Sequence, residues 1–173
     1  MKKLVLILAT LLIVAGIYMI IDQGVNFIKR LEGCKLTAYQ DIGGTWTIGY
    51  GHTRGVKEGD EISPHIANSM LRTDLIMFEI QLNRLVRVDL EPHQYDALLS
   101  FIYNLGATNL KKSTLLQYVN ERKFDLVPDE IRKWNKVNGE VSLGLTRRRQ
   151  LEALKFEGNE EVIHPYYKGD GWW

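Results

Sequence analysis

Eighteen consecutive residues, Leu4 to Ile21, carry no charge, and Asp22 closes the run. Five Leu, five Ile and two Val make it strongly apolar. As a helix rising ~1.5 Å per residue it spans roughly 27 Å, close to the ~30 Å hydrocarbon core of a bilayer. A cleaved signal peptide has a shorter apolar core of roughly 7 to 15 residues followed by small residues at the cleavage site. Here Ala9, Thr10, Ala15 and Gly16 all lie inside the run. Lys2 and Lys3 favour a cytoplasmic amino terminus, which puts everything after Asp22 on the far side of the membrane. The expectation is an uncleaved signal anchor over residues 1–21, with a cleaved signal or a buried helix as alternatives.

What remains of the 173 residues has room for one compact domain. Lys and Arg total 22 against 21 Asp and Glu, so no global field points to nucleic acid as a partner. Cys34, the single cysteine, can neither close an intrachain disulfide nor supply a thiolate cluster, and is expected to be buried or unpaired. Composition breaks at Gly158-Asn159, which delimits a domain over 22–158 and a tail over 159–173. Tyr166, Tyr167, Trp172 and Trp173 mark that tail either as a loose extension or as a wall-binding or membrane-interface segment.

Within the domain, Val25, Phe27, Ile28 and Leu31 fall at helical spacing, and Gly33 suits a stop. Leu36 to Gln40 and Thr45 to Tyr50 read as strands joined by a tight Asp41-Ile42-Gly43-Gly44 turn. Ser63-Pro64 opens a helix with an apolar stripe of Ile66, Met70, Leu75, Phe78, Leu82 and Leu85. Pro92 opens another that Gly106 ends, and Ser113, Pro128 and Thr146 each begin a further helical pattern. One hairpin and five or six helices make the domain α+β, mostly α.

Two places set a polar group against the local pattern. Glu32 lies four residues after Ile28, beside the apolar stripe of its helix. Partial desolvation there would suit a general acid, while a helix-end carboxylate in water is the plainer reading, and position alone leaves both open. In the second strand Trp46, Ile48 and Tyr50 alternate with Thr45, Thr47 and Gly49, so Thr47 belongs to a small, polar, open face. A turn carboxylate at Asp41 and the Thr47 hydroxyl can jointly hold a water, and an acid across a cleft can protonate a glycosidic oxygen. Without precedent, such a turn and such a threonine are more often structural.

The run Glu32-x8-Asp41-x5-Thr47, followed by Ile48-Gly49-Tyr50-Gly51-His52, closely resembles the signature of phage-type lysozymes, glycoside hydrolase family 24. Lys35 to Asp41 is similar to that family's hairpin, Ser100 to Gly106 to its central buried helix, and Gly144 to Arg149 to its C-terminal helix start. The resemblance implies a two-lobed, monomeric enzyme that cuts the β-1,4 bond between N-acetylmuramic acid and N-acetylglucosamine in peptidoglycan, with inversion. It gives Glu32 the role of general acid, Asp41 that of orienting or activating the water, and Thr47 that of helping to hold it. It implies no metal and no cofactor. Arg147 takes the position whose guanidinium approaches the glutamate, and Tyr103 and Asn104 are implied to line the cleft and bind substrate. His52 corresponds to a structural ion-pair member, with Asp74 as its partner. Joined to the apolar run, the pattern resembles signal-anchor-release endolysins, exported by the host secretion machinery and held at the host inner membrane with the domain in the periplasm.

Overall fold

The computed structural model describes residues 23–41 and 43–159. The expected anchor and the aromatic tail beyond 159 lie outside the described residues. Among those described, no helix is long and apolar enough to cross a membrane.

Helix α1 covers residues 23–32 and buries two sides. Val25 and Ile28 join the main core, whereas Phe27 and Leu31 pack with Leu151 and Leu154 near the carboxyl end of the domain. Gly33 ends the helix at φ 66, a left-handed conformation that costs glycine little, and its N–H reaches Lys29 O at 3.2 Å.

Strands β1 (Lys35–Gln40) and β2 (Trp46–Gly49) form an antiparallel hairpin with Tyr39 opposite Thr47 and Gln40 opposite Trp46. The open face expected of β2 is not open. Thr47, Ile48 and Gly49 are all buried, because β2 packs onto helix α2 (Pro64–Leu85). Ser63 caps α2 with its Oγ accepting from Ile66 N at 3.3 Å, and Pro64 fills the first turn. Its buried row is Ala67, Leu71, Leu75 and Leu82; the expected stripe holds at Leu75 and Leu82, with Phe78 and Leu85 against the core, but not at Ile66, which is exposed. Small Ala67 on this row lets β2 approach, with Gly49 facing it.

Helix α3 (Pro92–Leu105) runs through the centre, with Leu98, Phe101 and Ile102 fully buried. Glu91 and Gln94 make a reciprocal capping box at its start, and Gly106 at φ 81 stops it. Short helices α4 (Ala107–Lys111), α5 (Thr114–Asn120, capped by Ser113) and α6 (Val127–Arg132) follow, with a 3-10 turn at Phe124–Leu126. Helix α7 (Leu143–Phe156) closes the domain against α3 and α6. It starts from Ser142, whose Oγ accepts from Leu145 N at 3.3 Å, and not from Thr146, whose hydroxyl instead donates back to Ser142 O.

The described residues thus hold seven α-helices, more than the sequence pattern suggested, and a second hairpin that it did not. That hairpin pairs β3 (Lys136–Val137) with β4 (Glu140–Val141) around Asn138-Gly139, both at positive φ. Asn-Gly is the residue pair that a two-residue hairpin turn favours, so the signal was present, but strands of two residues leave no alternation to read.

Candidate active site

Glu32 is the last residue of α1, at the end of the helix that carries the partial negative charge of its carbonyls. A cation answers it. Arg148 on α7 places Nη1 2.7 Å from Glu32 Oε1, with the two side chains 6% and 18% exposed. The approach is an ion pair without the alignment of a good hydrogen bond. Arg148 Nε lies 3.0 Å from Glu152 Oε1, and Arg149 Nε 2.9 Å from Glu152 Oε2. Ser100 on α3 donates its hydroxyl to Glu152 Oε1 at 2.7 Å. Glu32 and Glu152 therefore balance Arg148 and Arg149, the last three of them buried. Burial works against the charge of Arg148, but Glu32 and Glu152 more than offset it and raise its pKa. For Arg149 burial prevails, aided by Arg148, and the pKa is lowered despite Glu152.

The sequence reading is corrected here by one residue. The guanidinium that meets Glu32 belongs to Arg148; Arg147 is exposed on α7 and does not line the cleft. A step of one residue turns a helix by ~100°, and the buried row of α7 runs through Arg148, Leu151, Glu152 and Lys155.

Glu32, Asp41 and Thr47 share one cleft of about 500 Å³, which Tyr39, His52, Tyr103 and Asn104 also line. Asp41 anchors the hairpin turn: its N–H donates to Thr45 O at 3.0 Å, and its Oδ1 accepts from Thr45 N at 2.8 Å. Thr47 is 4% exposed, and its hydroxyl donates to Thr45 O at 3.0 Å, which leaves the oxygen lone pairs as acceptors. The Tyr39 phenol holds its proton more tightly than usual, through burial first and then the negative charges of Glu32 and Asp41.

Tyr103 is fixed from two sides. Its hydroxyl donates to Tyr50 O at 2.8 Å, and its ring meets Phe78 edge-on at 5.2 Å. Burial, with Glu32 and Asp74 adding to it, raises its pKa. Asn104 Oδ1 accepts from Arg149 Nη2 at 2.8 Å. His52 and Asp74 pair at 2.7 Å, as expected, and the other ring nitrogen of His52 lies 3.0 Å from Arg54 O. Cys34 is exposed and free. Among the described residues no cluster of three or more His, Cys, Asp and Glu converges as a metal site.

Sequence reasoning set the glutamate's guanidinium one residue early, at Arg147, and missed Arg149 and Glu152. The signal was Glu152 following the two arginines at i,i+4 and i,i+3 among Leu151, Ala153 and Leu154.

A family model described as phage lysozyme matches residues 29–152. The endolysin of Acyrthosiphon pisum secondary endosymbiont phage 1 is 41% identical over 140 residues, covering 79% of this chain and 96% of that protein. The SAR-endolysin of bacteriophage PS119 is 35% identical over 123 residues, 70% of this chain and 74% of its own. A crystal structure of a mutant lysozyme of phage P22 superposes with a TM-score of 0.72 at 35% identity, covering 78% of this chain and 95% of that one. Matched along most of its length by the family model, by these relatives and by the same fold, the chain belongs to the phage lysozyme family.

Proposed function

We propose that Glu32 protonates the glycosidic oxygen of a peptidoglycan strand while Asp41 and Thr47 hold the water that attacks the anomeric carbon. The chain is an endolysin, a muramidase that hydrolyses peptidoglycan. The bond cut is the β-1,4 link from N-acetylmuramic acid to N-acetylglucosamine, and the chemistry is that of glycoside hydrolase family 24. The observation that carries the assignment is the shared cleft, with a carboxyl at the end of α1 facing a carboxylate and a hydroxyl acceptor on the hairpin.

In this reading the water enters from the face opposite the leaving group and gives its proton to Asp41, so the product inverts. Thr47, its own proton spent on Thr45 O, accepts from that water. Arg148 holds the Glu32 side chain in place, and Glu152 shares the arginine's charge so that it is not all directed at the acid. Lysis assays on cells stripped of their outer membrane, with product anomers followed by NMR, test the assignment. An α-anomer appearing first supports it, and a β-anomer burst contradicts single displacement.

Residues 4–21 serve in the same reading as a signal anchor, inserted by the host secretion machinery into the inner membrane with the domain in the periplasm. The length of the uncharged run and the SAR-endolysin among its relatives support this. Peptidoglycan is then the substrate that the tethered domain meets first.

A further inference from the structure

Arg149 is fully buried on α7 and touches nothing that reacts, yet it meets Asn104, which lines the cleft. An arginine has only N–H donors, so the Asn104 atom 2.8 Å from its Nη2 must be the amide oxygen. The chemistry of the pair thereby decides which way the amide is turned, a choice that atom positions alone leave open. With its oxygen held inward, Asn104 offers the cleft two N–H donors and no acceptor. Arg149 cannot itself swing away. Glu152 holds its Nε at 2.9 Å, and its guanidinium stands 5.1 Å from the Phe101 ring centre. Among the described residues neither its Nε nor its Nη1 has an acceptor in hydrogen-bond geometry. A buried guanidinium so short of acceptors is costly, and a neighbouring amide oxygen is correspondingly hard to turn away from it.

We infer that Arg149 is a positioning residue that fixes the Asn104 amide as a hydrogen-bond donor for a neutral acceptor on the glycan, such as an acetamido or hydroxyl oxygen. This deepens the glycosidase reading and rests on it. The donor binds saccharide and moves no proton, so its loss should fall on KM. Carboxylate-bearing stem peptides would also accept from it, and the choice between them is part of the test.

The trial uses the full chain, carrying Asn104→Leu, Asn104→Asp, Arg149→Met or the pair Asn104→Leu with Arg149→Met. Each is assayed on purified sacculi and on sacculi freed of stem peptides by an amidase. Loss of one neutral hydrogen bond predicts a KM raised about fivefold to tenfold in Asn104→Leu, with kcat changed by less than about threefold. Asn104→Asp keeps an oxygen for Arg149 but presents another oxygen to the cleft, and should bind at least as poorly. Arg149→Met frees the amide to turn and should raise KM less than Asn104→Leu. The double variant should match Asn104→Leu alone, since Arg149 has then nothing to orient. Additive effects in the double variant, or a loss confined to kcat, would overturn the proposal. An effect that vanishes on peptide-free sacculi would move the acceptor to the stem peptide and reject the saccharide assignment. Where Arg149→Met fails to fold, Arg149→Lys replaces it: an ammonium still requires the amide oxygen, so KM should stay near wild type, and a KM as high as that of Asn104→Leu counts against the proposal. Absence of turnover in the unmodified chain would instead overturn the glycosidase reading, and sedimentation with sacculi would then decide the Asn104 donor by binding alone.

Discussion

Arg148 reaches from α7 to the end of α1 and sets its Nη1 2.7 Å from Glu32 Oε1 while its Nε stays 3.0 Å from Glu152. One side chain therefore joins the cleft carboxyl to a buried counter-charge. Removing it takes from Glu32 its Arg148 partner and leaves Glu152 with Arg149 and the Ser100 hydroxyl. Arg148→Met should destabilise the fold by about 3 kcal/mol, since breaking a buried pair exposes the partner's uncompensated charge. Arg148→Lys, which keeps the charge but not the fork, should cost less. Urea denaturation of the two variants checks both; equal midpoints for Arg148→Met and the unmodified chain would contradict the burial argument.

Glu32→Gln should abolish lysis while the domain stays folded, because the amide keeps the shape of the side chain and has no acidic proton to give. The loss expected from removing a general acid is about 10² to 10⁴ in turnover. Retention of more than about a tenth of the activity speaks against the acid role. Asp41→Ala should also be severe, whereas Thr47→Ala should be milder. Circular dichroism alongside the lysis assay separates lost chemistry from lost fold.

At high pH several tyrosines should titrate late, Tyr95 and Tyr103 among them. Burial pushes Tyr95 up to about 12, with Glu79 next in effect, and raises Tyr103 as well. Native tyrosine holds its proton where the unfolded chain, with an ordinary pKa near ~10, has lost it, so stability is complete below that value and falls as pH rises above it. Tyr103→Phe should flatten the decline, and at neutral pH it should cost about 1 kcal/mol for the lost bond to Tyr50 O. Absorbance at alkaline pH, followed with denaturation midpoints, tests this; a single tyrosine transition near ~10 would refute it.

For the anchor, fractionation of cells expressing the full chain should find it in the membrane before an ionophore is added and partly in the periplasm afterwards. Lys2 and Lys3 must cross for it to leave, and the membrane potential opposes that by ~2.3 kcal/mol per charge per 100 mV. Replacing Ala9, Ala15 and Gly16 with Leu should hold it in place. A chain that stays in the membrane after depolarisation is permanently anchored, and a shortened periplasmic form is a cleaved secretory product.

The hairpin, the caps at Ser63 and Ser113 and the stops at Gly33 and Gly106 were legible in the sequence because each depends on a few adjacent residues. That Glu32, Asp41 and Thr47 would share a cleft was expected from the resemblance to the phage-lysozyme signature, since position alone left each of them open. The rest depended on what meets what across the domain. Burial of Thr47 follows from the packing of β2 on α2, which no strand alternation encodes. Three successive arginines look alike in sequence, and only the face that α7 turns to α3 and α1 separates the exposed Arg147 from Arg148 beside Glu32 and Arg149 beside Asn104.

Helix α1 is also a short lever with the acid at its tip. Its described part, residues 23–32, is about 15 Å long and ends at Glu32. Gly24 in its first described turn lies so close to α3 that a Cβ there would collide with the Asp96 carboxyl group, which Lys155 of α7 grips at 3.3 Å. Gly24→Ala should therefore push the lever off its bearing, with a cost of about 1 to 3 kcal/mol in thermal unfolding and a larger fall in lysis than that cost explains. A rigid helix passes a pull at one end to the other almost undiminished. A tug at residue 23 that slides it by one turn carries the carboxyl ~5.4 Å out of register, several times the ~1 Å that proton transfer tolerates.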